Sequence, residues 1–206
     1  MGASGRAGRR VVEQGLARGH HVTALARRTD SIQQQHEDLV VELADVLDAD
    51  RLVAALGGSE AVVSALGIGA SRGATVVYSA GITNVLRAMR ANGISKLTVI
   101  SAAPVGPRAE QPLLERRVMM PLLDRVFGAT YDDMRRMEAV LHASNVDWVS
   151  LRPPRLVNRP ATGCYRVGAE GPLARARSIT YSDLAAGLLD SLDRKDLYGR
   201  AAFIAN

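Results

Sequence analysis

The segment Gly2-Ala3-Ser4-Gly5-Arg6-Ala7-Gly8 spaces three glycines evenly ahead of an amphipathic stretch. Glycine at such positions lets the backbone turn tightly and approach a bound pyrophosphate with no Cβ in the way. A helix opening directly behind the loop presents free N–H groups and a partial positive charge to the phosphates. The G-x-x-G-x-x-G spacing departs from the usual G-x-G-x-x-G fingerprint. The context restores the reading, because an amphipathic run, a Gly19-His20-His21 turn and an apolar run at 22–26 follow in order.

Arg27 closes that apolar run. An acidic residue there would accept the ribose hydroxyls of NAD, whereas an arginine offers a fork of donors that suits the 2′-phosphate of NADP. Asp45 and Val46 fall where an adenine ring is contacted, and Ala65, Leu66 and Gly67 end a further apolar run. Gly67 permits close approach of the cofactor backbone. These residues together predict NADP(H) as cofactor.

Elements that must hold these groups can be read from periodicity. Strand-like runs occupy 22–26, 39–42, 61–66, 97–101 and 147–151, and helical spacing fills 7–18, 48–56, 75–91 and 132–143. Alternation of this kind predicts an α/β fold, a Rossmann-type doubly wound parallel sheet covered by helices on both faces. Right-handed crossovers bring the C-terminal ends of the strands, and so the ligand site, to one edge. Four prolines (Pro153, Pro154, Pro160 and Pro172) interrupt the pattern afterwards. A short strand at 164–167, a helix at 182–192 N-capped by Ser182 and a closing strand at 202–205 complete the chain. One domain over 1–206 is expected, with 152–206 forming its substrate side.

Composition narrows the function. The chain has 206 residues, 47% hydrophobic and 23% charged, enough to bury a sizeable core. A net charge of +5 raises the question of nucleic acid, yet the arginines are scattered and aromatics make up only 4%, too few for a stacking platform. A small-molecule substrate is expected, with no nucleic-acid or membrane partner; the oligomeric state is not encoded legibly. Cys164 is the only cysteine, which excludes an internal disulfide and fits a reducing, cytoplasmic setting. The four histidines lack metal-ligand spacing, so no metal is expected.

The motifs GASGRAG, VTALARR, ADV, SALG, LTVISA and DWVSLRPPRL resemble the atypical short-chain dehydrogenase/reductases with NmrA-like NAD(P)-binding domains, above all the flavin reductases of the biliverdin reductase B group and their bacterial relatives. The resemblance implies that Gly2, Gly5 and Gly8, with Ser4, Arg6 and Ala7 on the same loop, hold the pyrophosphate, and that Arg27 meets the 2′-phosphate. It places Ser101 beside the nicotinamide, one position earlier than the group's usual serine, and Pro153-Pro154 on the loop that closes the substrate pocket. The wider superfamily uses Tyr-x-x-x-Lys for proton transfer. Here the nearest match is Tyr131-Asp132-Asp133-Met134-Arg135, with arginine in place of lysine. Tyr131 and Ser101 are the two candidate catalytic residues; Tyr131, which falls ahead of its helix, reads more readily as pocket wall or structural, and Asp132-Asp133 as a charge pair at that helix's N-terminus. The resemblance implies an NADPH-dependent oxidoreductase that passes hydride to a flat conjugated acceptor such as a flavin or quinone. A non-catalytic NADP(H) sensor of the NmrA type is the alternative, and a sugar-nucleotide epimerase fits less well.

A strand is also missing from the pattern. A Rossmann glycine loop follows a buried strand, yet only Met1 precedes Gly2. The order 3-2-1-4-5-6 would place that strand between 22–26 and 61–66. The sequence therefore predicts either an upstream apolar strand, with this form poorly stable and weak in cofactor binding, or direct pairing of the two neighbours and a displaced loop.

Overall fold

The computed structural model describes residues 1–28, 31–67, 75–107, 117 and 120–206. Helix α1 (Arg6–Ala17) buries Val12 and Leu16 at the i, i+4 spacing that puts two side chains on one helical face, and turns Ala7 to a different core cluster. Strands β1 (Val22–Ala26) and β2 (Leu39–Leu43) follow, then α2 (Ala49–Ala55), whose first turn is capped by the Asp48 carboxylate accepting from Arg51 N. Strand β3 (Ala61–Ser64), α3 (Ser79–Ala91) and β4 (Lys96–Ile100) come next. They lead to the long α4 (Met120–His142) and β5 (Asp147–Arg152). The remainder holds β6 (Arg155–Val157), β7 (Arg166–Gly168), β8 (Ser178–Thr180), α5 (Tyr181–Asp190) and β9 (Arg200–Ala205).

The strands form a five-stranded sheet in the order β3-β4-β5-β9-β7 and two parallel pairs, β1-β2 and β6-β8. Only the β7–β9 contact is antiparallel. Leu97, Val99, Val149 and Leu151 are wholly buried, as strands covered on both faces require. One helical layer packs α2, α3 and α4 around Ile82, Val85, Met89 and Leu141. The other packs α5 over Val149, Leu151 and Ile204, and α1 is tied to it along its length. Gln14 Nε2 donates to Ser182 O at 2.9 Å, Arg18 pairs with Asp190 at 2.7 Å, and the Arg6 guanidinium lies 5.9 Å from the centre of the Tyr181 ring. No helix of the described residues is long and apolar enough to cross a membrane.

Several expectations are corrected. Helix α4 begins at Met120, so Tyr131 lies within it and Asp132-Asp133 are mid-helix. The N-cap of α5 is Thr180, whose hydroxyl accepts from Asp183 N at 3.0 Å; Ser182 is already inside the helix. Thr180 wins because Asp183 is held where its amide faces back. The Asp183 carboxylate accepts from the Thr162 and Gly163 amides, each at 3.0 Å, from Thr180 Oγ1 at 2.7 Å and from Asn206 Nδ2 at 2.9 Å. That cluster pins the 162–164 loop to the start of α5. Direct pairing of the second and fourth strands of the Rossmann order does not occur: β1 and β3 sit in separate sheets. The glycine loop keeps its place between them, with Ala3 N donating to Leu25 O at 3.3 Å and Ala65 N to Met1 O at 3.0 Å.

Candidate functional site

The glycine loop crosses the C-terminal ends of β1 and β3. Gly2 has φ +71°, and a Cβ there would stand 2.5 Å from Ala65 O. A Cβ on Gly8 would stand 2.1 Å from Gly2 O. The loop therefore folds onto its own backbone and onto β3 only because these side chains are absent. Gly5 is the N-cap of α1, with no side-chain cap and no acidic residue in the first turn. The first N–H groups of α1, from Arg6 to Gly8, thus open outward together with the positive end of the helix dipole, the arrangement that binds an anion. Ser4 is half-buried on this loop, Ala7 is buried, and Arg6 is exposed.

Around this loop the other predicted residues fall on the same sheet edge. Arg27 and Arg28 are exposed just past β1, and no described residue forms an ion pair with Arg27. Asp45 is exposed past β2 and folds its own loop, with Oδ1 accepting from Leu47 N at 2.9 Å. Val46 is buried against α3, where its methyl groups occupy the space beside Gly81. Ala65 is buried, Leu66 half-buried and Gly67 exposed, directly beyond β3.

Ser101 stands at the end of β4, only 3% exposed, and its Oγ has no hydrogen-bond partner among the described residues. Its amide donates to Leu151 O at 2.8 Å, which fixes it beside the end of β5. Ala103 N donates to Pro153 O at 2.8 Å, so the turn after β4 and the Pro153-Pro154 loop form one wall. An unpartnered buried hydroxyl at a strand end and an uncapped glycine cradle both fit a dinucleotide lying along this edge.

Tyr131, on α4, is half-buried and packs against the core cluster that includes Val105, with Phe127 6.1 Å away ring to ring. Burial, with Asp124 nearby, pushes its hydroxyl pKa up, and Arg135 offsets only part of this. Arg135 itself is engaged elsewhere. It pairs with Asp132 at 2.7 Å and donates to Pro104 O at 3.2 Å. Through Arg135 the Tyr-x-x-x-Arg segment also braces the turn after β4.

Sequence reading misplaced one buried acid, Asp133, and missed another, Glu138. Asp133 is fully buried and accepts from Tyr78 N at 3.0 Å and from Ser79 N and Oγ, capping α3 from the neighbouring helix. Glu138 accepts from Ser150 Oγ at 2.9 Å and forms two bonds with Arg152, whose guanidinium also lies 5.6 Å from the Phe203 ring centre. The one local signal was a charge, Arg152, closing a strand whose Trp148, Val149 and Leu151 are apolar.

A parallel sheet with a glycine cradle at its carboxyl edge defines a dinucleotide-binding protein. The model of the NAD(P)H-binding family matches residues 2–195, and the chain belongs to that family; its cofactor is NAD(P)H. It is 29% identical over 170 residues to an uncharacterized chloroplast protein of Arabidopsis thaliana, covering 79% of this chain and 60% of that protein. It is 28% identical over 218 residues to the divinyl chlorophyllide a 8-vinyl-reductase of Zea mays, covering 95% of this chain and 51% of that enzyme. The chain thus spans little more than half the length of these two plant relatives. Among solved structures, a short-chain dehydrogenase/reductase of Veillonella parvula in complex with NADP superposes with a TM-score of 0.82 at 18% identity, covering 100% of this chain and 92% of that one. ChuY, an anaerobilin reductase of Escherichia coli O157:H7, does so with 0.79 at 21% identity, covering 99% and 94%.

Proposed function

We propose that the chain is an NADPH-dependent oxidoreductase acting on a flat, conjugated acceptor such as a flavin or quinone, similar in this to the biliverdin reductase B group. The observation that carries this reading is the pairing of an open glycine cradle with a tyrosine whose hydroxyl pKa burial pushes up. The cradle and α1 would hold the pyrophosphate, Arg27 the 2′-phosphate, and Ser101 with the Pro153 wall would bound the nicotinamide. When bound, the reduced nicotinamide supplies a hydride. The protein's part is then to bind, orient and exclude water. Flavins and quinones take their proton from solvent, so they do not need an acidic tyrosine. The reductases among the relatives, which act on a chlorophyllide vinyl group and as an anaerobilin reductase, support a conjugated acceptor in their names.

The raised hydroxyl pKa of Tyr131 also favours a second reading, a non-catalytic NADP(H) sensor. Stopped-flow measurement of NADPH oxidation with flavin and quinone acceptors separates the two. Turnover supports the reductase; tight NADPH binding with every acceptor left unreduced supports the sensor. A small-molecule partner and a cytoplasmic setting complete the proposal, and the lone exposed Cys164 accords with a reducing compartment.

A further inference from the structure

Three buried side-chain oxygens of the described residues make no hydrogen bond: Thr98 Oγ1, Ser101 Oγ and Thr130 Oγ1. A buried hydroxyl left so costs stability, and it persists where packing traps it or where a ligand completes it. Thr98 is of the trapped kind. It sits mid-strand in β4, wholly buried, between Leu97 and Val99 of the cluster shared with α2, α3 and α4. By alternation it turns to the opposite, α5 side of the sheet. Ser101 ends β4 at the carboxyl edge, beside the expected nicotinamide. Thr130 stands on α4.

Contacts along α4 fix where Thr130 lies. The His142 ring meets the Trp148 ring at 4.7 Å near the start of β5, and Glu138 meets Ser150 and Arg152 at its end. The helix therefore runs antiparallel to β5, and each turn back along it lies further past the carboxyl ends of the strands. Thr130 is a little over two turns before Glu138, about 12 Å along the axis. It is only 7% exposed. With Met134, Met137 and Leu141 it forms the buried stripe of α4, so it turns the way the core residues turn, at a level where β5 has ended. Phe127 and Tyr131 flank it with half-buried rings. Residues 120–129 join none of the core clusters of the described residues, so a ligand entering here need not open the core.

We propose that Thr130 is a binding residue of the acceptor site, a role that rests on the reductase reading: its hydroxyl donates to a ring carbonyl of the flat acceptor, whose face packs against Phe127 and Tyr131. A threonine hydroxyl rotates to suit a carbonyl oxygen. Two aromatic rings suit a conjugated plane, and shielding from water strengthens the hydrogen bond. Flavins and quinones both carry carbonyls at the rim of the ring. The same hydroxyl is thus a cost to the fold and a gain to binding, and its removal separates the two.

Thr130→Val keeps the side-chain shape and removes the hydroxyl. Measured without nucleotide or acceptor, it is expected to raise Tm by about 2 °C or more, because an unmet buried hydroxyl is gone. With NADP present it should weaken riboflavin binding about tenfold, read by quenching of flavin fluorescence, whereas Thr130→Ser should stay within about twofold. Thr98→Val is the control for a trapped hydroxyl, with a similar rise in Tm and unchanged riboflavin affinity. A lower Tm for Thr130→Val, or riboflavin affinity within about twofold of the unaltered protein, would overturn the assignment. So would failure of the unaltered protein to bind riboflavin. NADPH oxidation is followed separately. Riboflavin binding that needs Thr130, with no acceptor reduced, would sink the reductase reading and leave the contact standing.

Discussion

Glu138 on α4 and Arg152 at the end of β5 meet at 2.6 Å with their side chains only 6% and 12% exposed. The pair lies under the turn that carries Ser101, because β4 and β5 run in register with Ile100 beside Leu151. Both oxygens of Glu138 are used, one shared with Ser150. Attraction at this separation is offset by the desolvation of two charges, so the pair's net contribution is small, but removing one partner strands the other. Glu138→Gln is expected to destabilise the fold by about 3–5 kcal/mol, and Glu138→Leu with Arg152→Met to recover most of that. Urea unfolding of the three proteins checks it; equal losses in the single and double variants would refute it.

In the proposed reading, cofactor choice rests on Arg27. NADPH is expected to bind at least about tenfold more tightly than NADH, a gap of about 1.4 kcal/mol. Arg27→Glu should erase or reverse the preference. Fluorescence titration with both nucleotides decides, and equal affinities in the unaltered protein would remove the case for NADP.

Gly8→Ala sets two effects against each other. Helix propensity favours alanine by about 1 kcal/mol, but the new Cβ would stand 2.1 Å from Gly2 O, a backbone atom with little room to move. The clash dominates. The loop must shift away from the N-terminus of α1, and NADPH affinity is expected to fall by about tenfold or more. An unchanged Kd would show that the phosphates are held elsewhere.

Tyr131→Phe should leave flavin or quinone reduction within a few-fold of normal. General acid catalysis contributes about 10²–10⁴-fold, and a loss of that size would make the hydroxyl a proton donor. The raised pKa keeps the group protonated at neutral pH, so the pH profile should show no limb due to its ionisation there.

Stability should rise with pH through the titration of the Met1 amine. Burial lowers its pKa from 8.0 to about 6 in the folded chain. Between those values the unfolded chain binds more protons, so unfolding is favoured as pH falls; above 8 the penalty is absent and below 6 it is complete. Two pH units correspond to at most about 2.7 kcal/mol. Acetylating the N-terminus should remove this component. Identical pH dependence before and after acetylation would contradict it.

Strands and the loop were legible because each leaves a local mark: apolar runs at 22–26, 61–66, 97–101 and 147–151 match β1, β3, β4 and β5 within two residues. The first half of α4 was not. Pro121 is compatible with a first turn, but Gly128 and Thr130 weaken the helical signal that the packed structure overrides. Strand β6 was hidden behind Pro153 and Pro154, and its partner β8 lies far along the chain. Asp133 and Glu138 were illegible for a different reason. Periodicity records which helical face is covered, and their partners lie on β5 and at the start of α3, which no local pattern names.

The ties between α1 and α5 make the two ends of the site energetically reciprocal. α1 carries the proposed phosphate cradle, and α5 carries Asp183, which holds the 162–164 loop on the other side. Under the proposed reading, a phosphate that orders the first turn of α1 would act on α5 through Gln14, Arg18 and the Arg6–Tyr181 contact. Whatever affinity the bound cofactor lends to the acceptor side along this route, the acceptor returns to the cofactor in equal measure, because a coupling free energy belongs to the pair of sites and to neither alone.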